Sequence, residues 1–189
     1  MSVTAVLALI AAAPSAYPAD AVLTAFEEAC ANVVDLDLAR RELGKTEWQE
    51  FTPEVGTPVE KLISLGKEML GDSIKMRPTH AFRRTVAGES LHLILSGVEM
   101  EGIWLNGCRL YDFEEERRID PALVTAGLHR DPAETIERAG VLAKTVWEPG
   151  YKAEHEAMEL YHIPKESPAK QALGVSGISL VAKAQGTLE

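Results

Sequence analysis

Positive charge is scarce in this sequence. Its 189 residues carry 19 Lys plus Arg against 29 Asp plus Glu, a net charge of -10. A surface of that sign repels phosphate, which excludes nucleic acid as a general partner. The amino-terminal end lacks basic side chains altogether, and the first Lys or Arg is Arg40. Long hydrophobic runs are also missing. Val3 to Ala13 is an eleven-residue run broken only by Thr4, and a helix needs about 20 residues to cross a hydrocarbon core, so no stable membrane span is expected. Cysteine is limited to two residues and aromatics to 6%. The two cysteines form neither a CxxC redox pair nor a metal set by themselves. There is no internal repeat, low-complexity run or interdomain linker. What remains is 46% hydrophobic and 25% charged, the composition of one globular domain.

The uncharged leader is followed by Pro14-Ser15-Ala16-Tyr17-Pro18-Ala19, small residues of the kind that follow the apolar part of a secretory signal. Residues 1–19 therefore read as a signal peptide and 20–189 as a single domain, with cleavage after Ala16 or Ala19. The basic segment of such a signal is reduced to the amino group of Met1, and a start further upstream would supply it. An Ala-rich helix retained in a cytoplasmic protein is the competing reading. Cys30 follows Glu27-Glu28-Ala29 rather than an apolar lipobox, so a lipid anchor is not expected. The leader and a helix carrying one cysteine have the look of bacterial exported proteins, which implies a periplasmic or secreted location. In such an oxidising compartment Cys30 and Cys108 are expected to pair. The bridge would close a loop of about 79 residues, worth roughly 4.5 kcal/mol in the chain-entropy model.

Periodicity predicts α+β, with amino-terminal helices packed on a mostly antiparallel sheet of about five to six strands. A helix over 21–33 places Val22, Phe26, Cys30 and Val33 on one face, and a short helix follows over 35–43. Residues 45–56 read as connection. Thr57-Pro58-Val59-Glu60 is a capping box that opens an amphipathic helix ending at Gly71, and its stripe of Val59, Leu62, Ile63, Met69 and Leu70 reads as core. Alternation then predicts strands over 81–87, 91–98 and 103–113, with Leu91, Leu93 and Leu95 on one face and His92 and Ile94 on the other. Asp120-Pro121 and Asp131-Pro132-Ala133-Glu134 read as two further helix starts. Residues 141–147, 156–163 and 178–183 read as strands, with Pro164 to Pro168 between the last two.

Several constellations invite chemistry. His155, Glu159 and His162 would share a helix face and could ligate zinc, but alternation favours a strand, on which they lie too far apart for one metal. Ser90, His92 and Asp112 suggest a triad, with neither a GxSxG elbow nor direct contact between strand neighbours to support it. The run Asp112-Phe113-Glu114-Glu115-Glu116-Arg117-Arg118 lacks the spacing of a calcium loop and reads as a strand end entering solvent. Arg83 and Arg84 point to opposite strand faces, and Gly174-Val175-Ser176-Gly177 lacks the rest of a phosphate loop. Trp147 and Tyr151 flank Pro149-Gly150 and would form a hot spot if exposed, or plug the sheet edge if buried.

These residues define no catalytic set, and no cofactor is implied. The expectation is a non-enzymatic exported domain that binds a protein or small-molecule partner in the cell envelope. Trp147, Tyr151, His155 and His162 are its candidate binding residues. The alternatives are an envelope hydrolase or metal-assisted enzyme built on His92 or on His155 and His162, and a cytosolic helper domain with an uncleaved leader.

Overall fold

A computed structural model describes residues 16–70 and 74–188. The leader segment Met1–Ser15 and the expected helix stop at Gly71 lie outside the described residues.

The elements in chain order are α1 (Ala19–Cys30), α2 (Leu36–Leu43), β1 (Gln49–Phe51), α3 (Pro58–Leu70), β2 (Lys75–Met76), β3 (His80–Val86), β4 (Glu89–Met100) and β5 (Ile103–Phe113), followed by α4 (Pro121–Leu128), β6 (Glu134–Arg138), β7 (Leu142–Trp147), β8 (Ala157–Ile163), α5 (Pro168–Leu173) and β9 (Gly177–Thr187). The class is α+β. All strands join one antiparallel sheet in the order β1-β3-β4-β5-β9-β8-β7-β6, and β2 pairs with the far end of β4.

Among the described residues the sheet has nine strands rather than five or six. β1 and β2 are too short to show a period. β6 replaces the helix expected after Asp131-Pro132. Its residues are almost all exposed, so no apolar alternation marks it, while Glu134 to Arg138 pair in register with β7. Helix α5 was hidden in the opposite way, behind prolines read as a connection. Ser167 caps it by accepting from the Ala169 amide at 3.0 Å, Pro168 takes the first position, and Gly174 ends it in the left-handed region.

The sheet separates two apolar layers. On one face Phe82, Leu93, Leu95, Leu110 and Leu180 pack with Val22, Phe26 and Cys30 of α1 and Leu36 of α2 in the main core. The Cys30–Cys108 disulfide crosses this layer with its Cα atoms 5.5 Å apart. Asn106 on β5 donates to the carbonyls of Val33 and Val34 at 3.0 and 2.9 Å, satisfying backbone acceptors just beyond α1. On the other face, α3 contributes to a much smaller cluster of Val59, Ala81 and Ile94.

Candidate functional site

Helix α3 begins as its sequence dictates. The Glu60 amide donates to Thr57 Oγ1 at 3.4 Å, and Glu60 Oε2 accepts from the Gly56 amide at 3.2 Å. Its apolar stripe, however, does not become core. Val59 is the buried residue of α3, Leu62 and Ile63 are half-buried, and Met69 is 76% exposed. The first half of α3 is therefore seated on the sheet, where Leu62 and Ile63 pack beside Val59, and its later turns toward Met69 are more exposed.

Between those later turns and the sheet lies a groove of about 560 Å³, within the range of small-molecule sites. Leu62, Ile63 and Met69 line it from α3, and Ile94, Val98 and Leu105 line it from the sheet. Strand register places a polar floor beneath this apolar wall. Ser96 of β4 pairs with Gly107 of β5, and Gly107 pairs with Lys183 of β9. Two residues along, Arg109 folds back over Gly107, where an added Cβ would lie only 2.5 Å from the Arg109 Nη1 atom. Only glycine leaves room for the guanidinium to lie flat there. Arg109 donates through that Nη1 to Ser96 Oγ at 2.7 Å. Among the described residues it has no carboxylate partner.

Two strands across the same face from Arg109, Glu159 is buried. Lys183 donates to it at 2.8 Å, Lys144 lies 3.7 Å away, and the Tyr161 hydroxyl donates at 3.0 Å. Burial, followed by the Glu159 charge, pushes the Tyr161 phenol up. Burial likewise pushes up Tyr111, the groove tyrosine stacked on Phe113 at 5.3 Å.

The residues singled out from sequence fall elsewhere. Trp147 is fully buried in the helix-side core, where its indole donates to Thr125 Oγ1 at 3.1 Å. Tyr151 packs edge-on against Phe26 and His155, at 5.9 and 4.5 Å, and donates to the Glu27 carbonyl. His155 precedes β8 and His162 lies near its end, roughly 20 Å apart at strand rise. Tyr151 and His155 are thus brought together, while His162 stands apart, opposite Ala143 and Ile178. Both histidines are buried, and burial holds each below the usual imidazole range.

His92 sits between the rings of Phe51 and Phe113, at 6.0 and 5.2 Å, and burial followed by the Arg83 charge lowers its pKa. Its partner across the strand pair is Tyr111. Asp112 therefore faces the opposite side of the sheet and accepts from the Tyr17 hydroxyl at 2.9 Å. The triad geometry is not formed.

Glu89, Asp112 and Glu115 bring carboxylate oxygens within 4.8 Å of one another, a potential cation set. Arg117 already serves them, reaching Glu89 at 2.9 Å and Glu115 at 2.5 Å, with its guanidinium 5.3 Å above the Tyr17 ring. The charge run is thus partly folded inward and self-neutralised. Gly174 and Gly177 likewise serve the backbone. Gly174 terminates α5, and a Cβ on Gly177 would lie 2.1 Å from the Asp112 carbonyl oxygen.

The groove residues Arg109, Ser96 and Lys183 were not singled out from sequence. The available signal was Arg109 itself, a lone cation on the apolar strand β5, but its direction depends on Gly107 and on neighbouring strands. No protein-family model, curated protein or solved structure matches the chain.

Proposed function

We propose that the chain is an exported, non-enzymatic domain that holds a small ligand in the groove between α3 and the sheet. The observation that carries this reading is a helix seated by its first half, with its later turns more exposed, above an apolar groove with a compact polar floor. Apolar walls with a few convergent polar groups are the usual composition of small-molecule sites. The Cys30–Cys108 bridge supports work in an oxidising compartment such as the periplasm or the exterior. No helix among the described residues is long and apolar enough to cross a membrane.

Gly66 provides the test. It lines the groove, and a Cβ built on it meets nothing within 4 Å. Gly66→Trp should fill the groove without a backbone clash, and removing a mid-helix glycine favours the helix. The uncharged dye N-phenyl-1-naphthylamine should brighten on binding the wild-type protein. Gly66→Trp should weaken that binding at least about ten-fold, a loss of roughly 1.4 kcal/mol, with the melting temperature maintained. Equal dye binding by both proteins, or none by the wild type, sinks the reading.

A further inference from the structure

We infer that the groove takes a single-chain amphiphile with a monocarboxylate head, of the fatty-acid class, with the carboxylate on Arg109 and the alkyl chain under α3. This rests on the groove being a ligand site and adds the chemistry of the ligand.

The head assignment follows from Arg109. A guanidinium offers five N–H donors in a planar fork suited to a carboxylate. Here the protein supplies one neutral hydroxyl acceptor, Ser96 Oγ at 2.7 Å. The side chain is half-buried at the groove floor, so solvation of its remaining donors is curtailed and an anion is the matching partner. The charge balance sets the valence. Lys183 donates to the buried Glu159, Lys144 lies between Glu134 and Glu159, and the exposed Glu156 also borders the groove. With Arg109, three cations face three carboxylates, and Arg109 is the one with no carboxylate partner among the described residues, a single local charge at the groove floor. One unpaired guanidinium among otherwise balanced charges suits a singly charged head better than a phosphate dianion.

The body assignment follows from the walls. Leu62, Ile63 and Met69 face Ile94, Val98 and Leu105 across the groove and present no charged group. About 560 Å³ accommodates a medium-length alkyl chain, and each methylene taken out of water contributes about 0.8 kcal/mol. The open end beside Met69 gives the chain a way in.

The test uses the full-length oxidised protein loaded with N-phenyl-1-naphthylamine, displaced in parallel by laurate, dodecanol and dodecyl phosphate. Laurate should displace the dye at roughly ten-fold lower concentration than dodecanol, the expected worth of a charge-assisted hydrogen-bond pair. Arg109→Gln should bring the laurate-to-dodecanol ratio, each measured against the variant's own dye affinity, down to about one. Equal affinity for laurate and dodecanol overturns the inference, as does preference for dodecyl phosphate or binding to phosphatidylglycerol vesicles in place of free laurate. The laurate-to-dodecanol comparison on wild-type protein stands even if Arg109→Gln does not fold. Failure of the dye itself to bind would remove the ligand site altogether. Dye binding with no preference for the carboxylate would remove only the assignment of its head.

Discussion

Asp112 shows how one side chain can be read correctly by type and wrongly by direction. In the sequence it opens a charge run at a strand end. In the fold it turns toward the helices, accepts from Tyr17, and lies beside Glu89 and Glu115. Burial raises its pKa to about 6, neighbouring Glu89 and Glu115 add to the shift, and the Tyr17 hydrogen bond and Arg117 oppose it. The folded state therefore keeps a proton between the ordinary value of 3.8 and about 6, where the unfolded chain has released it. Stability from this group falls as pH rises through that window. The partner carboxylate Glu115 is held down from 4.5 to about 2, chiefly by Arg117, so its stability is lost as pH falls through that range, overlapping the lower edge of the window with the opposite sign. His92, His155 and His162, lowered mainly by burial, act in the opposite direction just below the usual imidazole value. Asp112→Asn isolates the aspartate. Urea midpoints at pH 4 and pH 6.5 should show wild type losing stability relative to the variant as pH rises, and parallel curves would refute this.

At the scale of elements, the local signals that held were those in which cap and period agreed. Asp120 accepts from the Ala122 amide at 2.9 Å and starts α4, and β4 alternates as its leucines require. The signals that failed were overruled by partners distant in sequence. The Asp131 capping box yielded to β7, and the apolar stripe of α3 met a sheet face too polar at Arg109 and Lys183 to bury it. The disulfide was legible because the sequence has two cysteines and a leader that implies an oxidising compartment, where they are expected to pair. It ties α1 to β5 across a sequence separation of 78. Replacing both cysteines with alanine should cost about 2–5 kcal/mol, read as a lower melting temperature that reductant no longer affects. An unchanged melting temperature would show that α1 is held by packing alone.

For the whole molecule, the amino-terminal boundary bears on both stability and location. Tyr17 is buried, its hydroxyl bonded to Asp112, and its carbonyl accepts from the Ala19 amide at 2.8 Å. Of the two proposed cleavage points, one after Ala16 keeps these contacts, while one after Ala19 discards a core ring. Intact mass of the protein from its native host should therefore match a chain starting at Tyr17, less about two mass units for the bridge. A chain beginning at Asp20, or full-length reduced protein, would contradict this.

The sequence by itself determined the acidic globular composition, the α+β class, the alternation of β4 and β5 and the pairing of the two cysteines. The first three follow from composition or local period, and the pairing from the compartment that the leader implies. Tertiary structure alone decided how closely α3 approaches the sheet, that Arg109 lies over Gly107 toward Ser96, and that Asp112 points to the helices. Those features depend on register between strands and on the fit of distant surfaces. A half-buried stripe and a buried one share the same heptad pattern, and only the face they meet distinguishes a groove from a core.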